Sequence, residues 1–506
     1  MTRVPLDIPP GLYSDDTSLA TAPRWRDGSN VRFRLGRAQV IGGWESLTSD
    51  LLTGVCRTVF NWTDSDAVLN VAFGTHSALQ VWVGGGLYTI TPSGLAAGSI
   101  DGTGGAGFGT GTYSTGTYSS PSASDYFPRT WSLAAWGENL LACPRGGTIY
   151  GWTNNTASVA AALTNAPANV TYMMVAPQDQ VFAFGCNEEV SGTFNPLCIR
   201  HSSVRINTEW TTTTSSTARE YILPGGGRIV AAQEMGSYLA VWTSHGMFLG
   251  TYVGAIGQIW RFDKVGDQCG LMGPNAVIVV GQTAFWLGSD LQFYSYTLGG
   301  APTPIDCPIL TDFTDNITSS QADKIVASST AGFSEIRWDY PDARDGYENS
   351  RYLALCINGV DVGAWHRGIL ARTARVDAGP SPSPISCTYG GNVYYDERGT
   401  SADGSAFAWF IETSDQYFDI NSNMLVRGCW PDIADQVGPV SITLTSRFKP
   451  QGDEIVAGPY VAAASEDKLD MRANGRLFKV KFSGNAAPTS ARLGVPVFDV
   501  VKTSQR

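Results

Sequence analysis

Short apolar runs, broken every few residues by tight-turn residues, recur along this chain and limit its fold more than any single motif does. The 22 residues "WSLAAWGENLLACPRGGTIYGW", from Trp131 to Trp152, parse as strands over 131–136, 140–143 and 148–152. The turns fall at Gly137-Glu138-Asn139 and at Pro144 to Gly147. Three strands so close in sequence predict an antiparallel meander. The middle run, Leu140-Leu141-Ala142-Cys143, is apolar on both faces, as expected of a strand held between two packed layers.

The same grammar returns in "ALQVWVGGGLYTI" (78–90), "SYLAVWTSHGMFLGTY" (237–252), "TAFWLGSDLQFYSY" (283–296) and "RYLALCINGVDVGAW" (351–365), with shorter copies at 180–185 and 391–399. A spacing of roughly 40 to 70 residues suits propeller blades of about four strands each. We therefore expect an all-β chain with a β-propeller over residues 49–404; stacked β-sandwiches are the alternative. Composition agrees, because 57 Gly, 26 Pro and only 16% charged residues favour pleated strands and turns. No stretch predicts a helix longer than two turns. Residues 1–48 read as an N-terminal arm with docking strands, and 405–506 as a separate C-terminal β-sandwich or tube-forming module. Longer strands mark that module, as in "VSITLTSRF" (440–448) and the expected hairpin "LDMRANGRLFKVKF" (469–482), with Asn474-Gly475 as a type I′ turn. The Gly/Ser/Thr-rich segment 95–125 is too poor in apolar residues to build a core and reads as an exposed loop, as does the shorter 211–217.

Motifs for chemistry are sparse. "GTGGAG" satisfies GxGxxG through Gly102, Gly104 and Gly107, but it has neither the strand before it nor the helix after it that a dinucleotide site requires, so no cofactor is expected. His76, His201, His245 and His366 show no zinc-ligand spacing, and His245 and His366 fall at or beside turns, where exposed rings are expected. Nine scattered cysteines without a CxxC pair predict buried thiols in a reducing compartment, with neither a disulfide framework nor a metal site. Cys143 is expected to be one of these inert thiols rather than a nucleophile beside Arg145, and Glu138 to face solvent from its turn. A faint likeness of "SADGSAFAW" (401–409) to the sialidase Asp-box leaves glycan cleavage as a minor reading, with Asp396 and Glu397 as an acid/base pair.

A formal charge of −11 opposes a nucleic-acid coat, which needs a basic surface to release counterions. The N-terminus holds no apolar signal-like stretch, and the longest apolar runs, such as "AVIVV" (276–280), are far shorter than the ~20 residues of a membrane-crossing helix. The chain is expected to be soluble and made in a cytoplasm. The one concentrated basic feature is "RWRDGSNVRFRLGR", with Arg24, Arg26, Arg32, Arg34 and Arg37. A strand there would set Val31, Phe33 and Leu35 on one face and Arg32 and Arg34 on the other. It reads either as a solvated face or as a docking strand for an acidic partner, because guanidinium groups suit two-pronged carboxylate contacts.

As an ordered set these segments resemble the tail nozzle (tail tubular, or DNA-stabilisation) proteins of short-tailed bacteriophages. The likeness begins at "PRWRDGSNVRFRLGRAQVIGGWESL" (23–47) and continues through 131–152, 238–254 and "CGLMGPNAVIVVGQTAFWLGSDLQFYSY" (269–296). It ends with "EIRWDYP" (335–341) and "RLGVPVFDVV" (492–501), and the loop 95–125 has no counterpart in it. The resemblance implies a structural virion protein: a homohexameric ring below the portal and adaptor, contacting tail fibre or tip proteins. Its channel would retain packaged double-stranded DNA and conduct it at ejection without binding it specifically, and no catalytic residue carries over. Six copies multiply the negative charge sixfold, which suits a channel that repels phosphates. A receptor-binding or fibre-anchoring propeller at the tail periphery is the second reading, and a propeller glycosidase the third.

Overall fold

The computed structural model describes residues 2–102, 127–255 and 257–505. Strands hold 52% of the residues and helices 4%, so the chain is all-β. Its longest helix among the described residues is the seven-residue Leu310–Asn316.

Seven four-stranded antiparallel sheets follow one another along the middle of the chain. They begin with the strands Cys56–Thr63, Trp131–Trp136, Tyr172–Ala176, Ile229–Met235, Val277–Val280, Val326–Thr330 and Ala374–Val376. Each of these first strands packs against the first strand of the next sheet, and Ala374–Val376 returns to Cys56–Thr63, so the order closes into a cycle. Six sheets use four strands consecutive in sequence. The seventh takes only three, and its fourth strand, Trp44–Ser46, arrives from the N-terminus to pair with Val393–Asp396.

The reason the second strands are apolar on both faces is visible between the sheets. Trp131–Trp136 and Asn139–Pro144 pair in the register expected for the meander, Leu133 opposite Ala142 and Ala135 opposite Leu140. Leu140 and Ala142 then pack toward the first sheet with Trp62 and Val81, whereas Leu141 and Cys143 pack toward the third with Val181 and Ala183. Alternate side chains of one strand thus enter two different cores, and neither face reaches water. A further cluster joins Val59, Val71 and Phe73 of the first sheet to Ala374, Ile385 and Val393 of the seventh. Tryptophans fill many of these layers, as where Trp242 and Trp286 meet edge to face at 5.7 Å.

The two ends of the chain are woven into a second β body. Thr2–Pro5 pairs with Val497–Gln505, in the sheet that also holds Ser422–Trp430 and Leu469–Gly475. Trp25–Ser29 forms the edge of a six-stranded sheet, beside Phe407–Thr413, Leu477–Ala486, Val440–Arg447 and Ile455–Ala462. The hairpin Val31–Arg34 and Arg37–Val40 joins Ser490–Leu493 and Ile433–Val437. Burial alternates along Val440–Arg447, as in a sheet with one face on a core. Phe418 bridges the first two of these sheets, 5.0 Å from Phe478 and 5.5 Å from Phe498.

One expected element is different. Leu469–Gly475 and Leu477–Ala486 are not a hairpin: the first pairs with Ser422–Trp430 and the second with Phe407–Thr413 and Val440–Arg447. The chain changes sheets at Gly475. A side chain there would come 2.8 Å from Ser446 Cβ and 3.1 Å from the Arg447 carbonyl, so the glycine serves close packing between sheets rather than a turn.

Candidate functional site: the arginine-rich strands and the buried ionic seam

The arginine-rich strands lie where the two bodies meet. Leu35 and Gly36 both have positive φ and close a two-residue hairpin in which Arg34 faces Arg37. Leu35 is therefore a 66% exposed turn residue, while Val31 and Phe33 are buried. Arg32 departs from the solvated-face reading, one of the two left open for these strands. Only 3% exposed, it gives both terminal nitrogens to the two carboxylate oxygens of Glu397 and holds its Nε 3.2 Å from Glu335. The two-pronged carboxylate partner expected for these arginines is thus, for Arg32, inside its own chain. Burial works against its charge, but Glu335 and Glu397 outweigh it and raise the guanidinium pKa.

The other four arginines also have partners within the chain but remain partly accessible. Arg24 lies 4.6 Å over the Tyr13 ring, and Arg26 donates to the Asp16 carbonyl at 2.9 Å. Arg34 is exposed and 5.2 Å over Phe333, and Arg37 meets Asp7 at 2.6 Å. Beside them, a cleft of about 230 Å³ is lined by Asp27 and Phe410 of the terminal body and by Arg367 and Ile369 of the sixth sheet. Its arginines are matched by aspartates: Arg367 by Asp27 and Asp312, Arg344 by Asp312 and Asp342, and Arg351 by Asp345. The cleft works as a charged clamp between the two bodies.

Inward from Arg32 the ionic contacts continue as a buried seam. In "EIRWDYP", Glu335, Arg337 and Asp339 alternate with Ile336, Trp338 and Tyr340, the pattern of a half-solvated strand, yet all seven residues are buried. Arg337 is paired with Asp339 at 2.5 Å and lies 3.9 Å over the Tyr352 ring. Burial raises the Asp339 pKa, and Arg337 offsets this only in part. Arg372 and Arg375 converge on Asp396, at 2.9 and 3.1 Å. Burial alone would raise the Asp396 pKa, but these guanidinium groups together with Arg337 pull it down to about 2. Asp396 and Glu397, the pair considered for glycan cleavage, are each held by arginine in the interior. His366 is also not the exposed turn residue expected; it is 1% exposed, on the strand Trp365–Ile369.

The "IGGW" segment shows why the N-terminal strands must enter here. The Gly42 N–H donates to Glu397 Oε2 at 2.9 Å, and a Cβ on Gly42 would lie 2.8 Å from Glu397 Cα. A Cβ on Gly43 would meet the Ser401 nitrogen at 2.6 Å. The paired glycines let two backbones touch and deliver Trp44–Ser46 to the seventh sheet.

A second polar constellation ties down the two ends of the glycine-rich segment. Lys324, buried, binds Asp101 at 2.6 Å and Glu348 at 2.8 Å, and Arg57 grips Glu348 with two hydrogen bonds. Gln321 both donates to and accepts from the backbone of Gly102, so Gly102 is clamped and buried, while Ala96, Ala97 and Asp101 of the same segment are exposed. Across the gap, Phe127 lies under Arg145 and Arg228, and Arg145 pairs with Asp323 at 3.0 Å. Most of the "GTGGAG" match and of the loop 95–125 lies outside the described residues. Cys143 is fully buried, and burial pushes its thiol pKa up, as an inert thiol requires.

Neither the Lys324 cluster nor the seam was found by motif spacing. The nearest signal for the seam was the charged alternation of 335–339, which resembles a solvent face until the neighbouring layers are known. No helix among the described residues is long and apolar enough to cross a membrane. No protein-family model matches the chain, and no curated protein matches it significantly.

Proposed function

We propose that the seven cyclic sheets are the blades of a β-propeller, with the woven termini as a β-sandwich beside it, and that the chain is a structural virion protein, the tail nozzle of a short-tailed bacteriophage. The observation that carries this reading is the closure of the sheet cycle by Trp44–Ser46, which delivers the "PRWRDGSNVRFRLGRAQVIGGWESL" segment to the junction of the two bodies. That segment opens the ordered set by which the chain resembles nozzle proteins. In this reading the chain acts as a rigid wall unit, and function lies in the ring that six copies build around passing DNA.

An edge strand supports assembly. Ile455–Ala462 ends the six-stranded sheet with Val440–Arg447 as its one paired neighbour among the described residues, and it exposes Val456 at 63% and Val461 at 53%. Such an edge offers unpaired backbone groups and apolar side chains to a neighbouring subunit. The overall negative charge suits passage rather than retention of DNA by phosphate contacts.

Electron microscopy of intact particles is the direct test. The expected result is six copies in a ring at the distal end of the tail, with particles lacking the protein losing their DNA. A strictly monomeric protein absent from tails would overturn the proposal. Particles that keep their DNA but fail to adsorb would replace it with a peripheral receptor-binding role.

A further inference from the structure

We propose that Glu335, Cys356 and His366 form a buried structural zinc site that fastens the N-terminal hairpin to the sixth sheet. The three residues occupy adjacent strands of that sheet: Glu335 stands directly opposite Cys356, and His366 stands opposite Ala354, two positions from Cys356 on the same face. A rigid sheet therefore sets their spacing. One ligand atom from each lies within 4.8 Å of the other two, and the residues are 3%, 2% and 1% exposed. A carboxylate oxygen, a thiolate sulfur and an imidazole nitrogen are all donors that zinc accepts.

A buried imidazole stands in the same space. Neither ring nitrogen of His366 has an aligned hydrogen bond among the described residues, and its Nε2 lies 3.2 Å from Glu335 Oε1. A buried polar ring left in this state is costly and calls for a bound species. The Phe33 carbonyl oxygen accepts from the Cys356 thiol at 3.8 Å, so an oxygen of the N-terminal hairpin adjoins the sulfur. Zinc–ligand distances near 2.0–2.3 Å require the donors to draw in by roughly 1 Å.

On binding, the Cys356 thiol releases its proton to solvent, and the thiolate and the Glu335 carboxylate together offset the two charges of the zinc.

The test uses the full-length protein, grown once with zinc and once in zinc-depleted medium with cobalt. We expect close to one zinc per chain that survives gel filtration in chelator, and in the cobalt form a thiolate-to-metal charge-transfer absorption. Cys356→Ser should abolish that absorption and Cys143→Ser should leave it. Natively folded protein isolated without metal, and without the cobalt absorption, would overturn the site, as would an absorption that persists in Cys356→Ser. Should Cys356→Ser not fold, His366→Asn serves in its place, with its cobalt absorption weakened or shifted if the site is real and unchanged if it is not.

Discussion

The sixth and seventh sheets of the cycle are neighbours built in different ways. Val326–Thr330 to Trp365–Ile369 form the sixth from one continuous stretch of chain, whereas the seventh is incomplete until Trp44–Ser46 arrives from about 350 residues away. Packing between sheets differs along the cycle as well. Between the first and second sheets the contacts are apolar, through Trp62, Val81, Leu140 and Trp152, and local packing is enough to order them. At the closing seam the chain uses Arg32, Glu335, Glu397, Arg372, Arg375 and Asp396, groups that must find particular partners. A buried ion pair adds less net stability than an apolar contact of similar size, but a wrong partner costs far more. Ionic contacts therefore suit the place where the N-terminal hairpin must be matched to the sixth and seventh sheets, whereas the seventh sheet meets the first through an apolar cluster.

The strongest way to break this comparison is to remove the distant strand. Deleting residues 2–46 should leave the seventh sheet with an open edge and strip the terminal body of four strands, so we expect insoluble protein; soluble protein with unchanged near-ultraviolet circular dichroism would show that the ring closes without it. Next in size, Arg32→Ala leaves Glu335 and Glu397 buried without their cation and should lower stability by about 4 kcal/mol, read from the shift of the urea midpoint. Gly43→Ala forces a Cβ onto the backbone of Ser401 and should cost about 3 kcal/mol in the same assay.

Acid should weaken the seam before the apolar layers. Because Asp396 is held at about 2 in the folded chain and titrates near 3.9 when unfolded, its stabilising contribution, about 3 kcal/mol, is complete above about pH 5 and lost as pH falls through 2. Asp396→Asn should remove this part of the acid dependence, measured as melting temperature against pH. The smallest effect belongs to the locally built part: Glu138→Ala, on the solvent side of its turn, should change stability by no more than about 0.5 kcal/mol.

Much of the ring was legible residue by residue. In "WSLAAWGENLLACPRGGTIYGW" the two-sided apolar run and the Gly137 turn located the strands to within two residues, because neighbours in sequence are also neighbours in the sheet. His366 was misplaced, and Arg32 was left open between two readings, for one shared reason. A polar residue beside a turn or alternating with apolar ones reads as solvent-facing, and whether a further layer covers it is decided by strands far away in the chain. Asn474-Gly475 failed in the same way: the dipeptide suits a hairpin turn, but the strands on either side found better partners in two different sheets.

Alternation and turn chemistry, which act over a few residues, settled that this chain is all-β and that its middle is a series of antiparallel meanders. Which segment completes the seventh sheet, which carboxylates meet Arg32, and how Glu335, Cys356 and His366 come to share one face were decided only in the folded molecule. Those contacts join positions hundreds of residues apart or on separate strands, and their energies depend on burial and charge pairing that no local stretch of sequence contains. The opening meander holds Cys143 in its packed layer, and the buried charges lie along the seam where the N-terminal hairpin meets the sixth and seventh sheets.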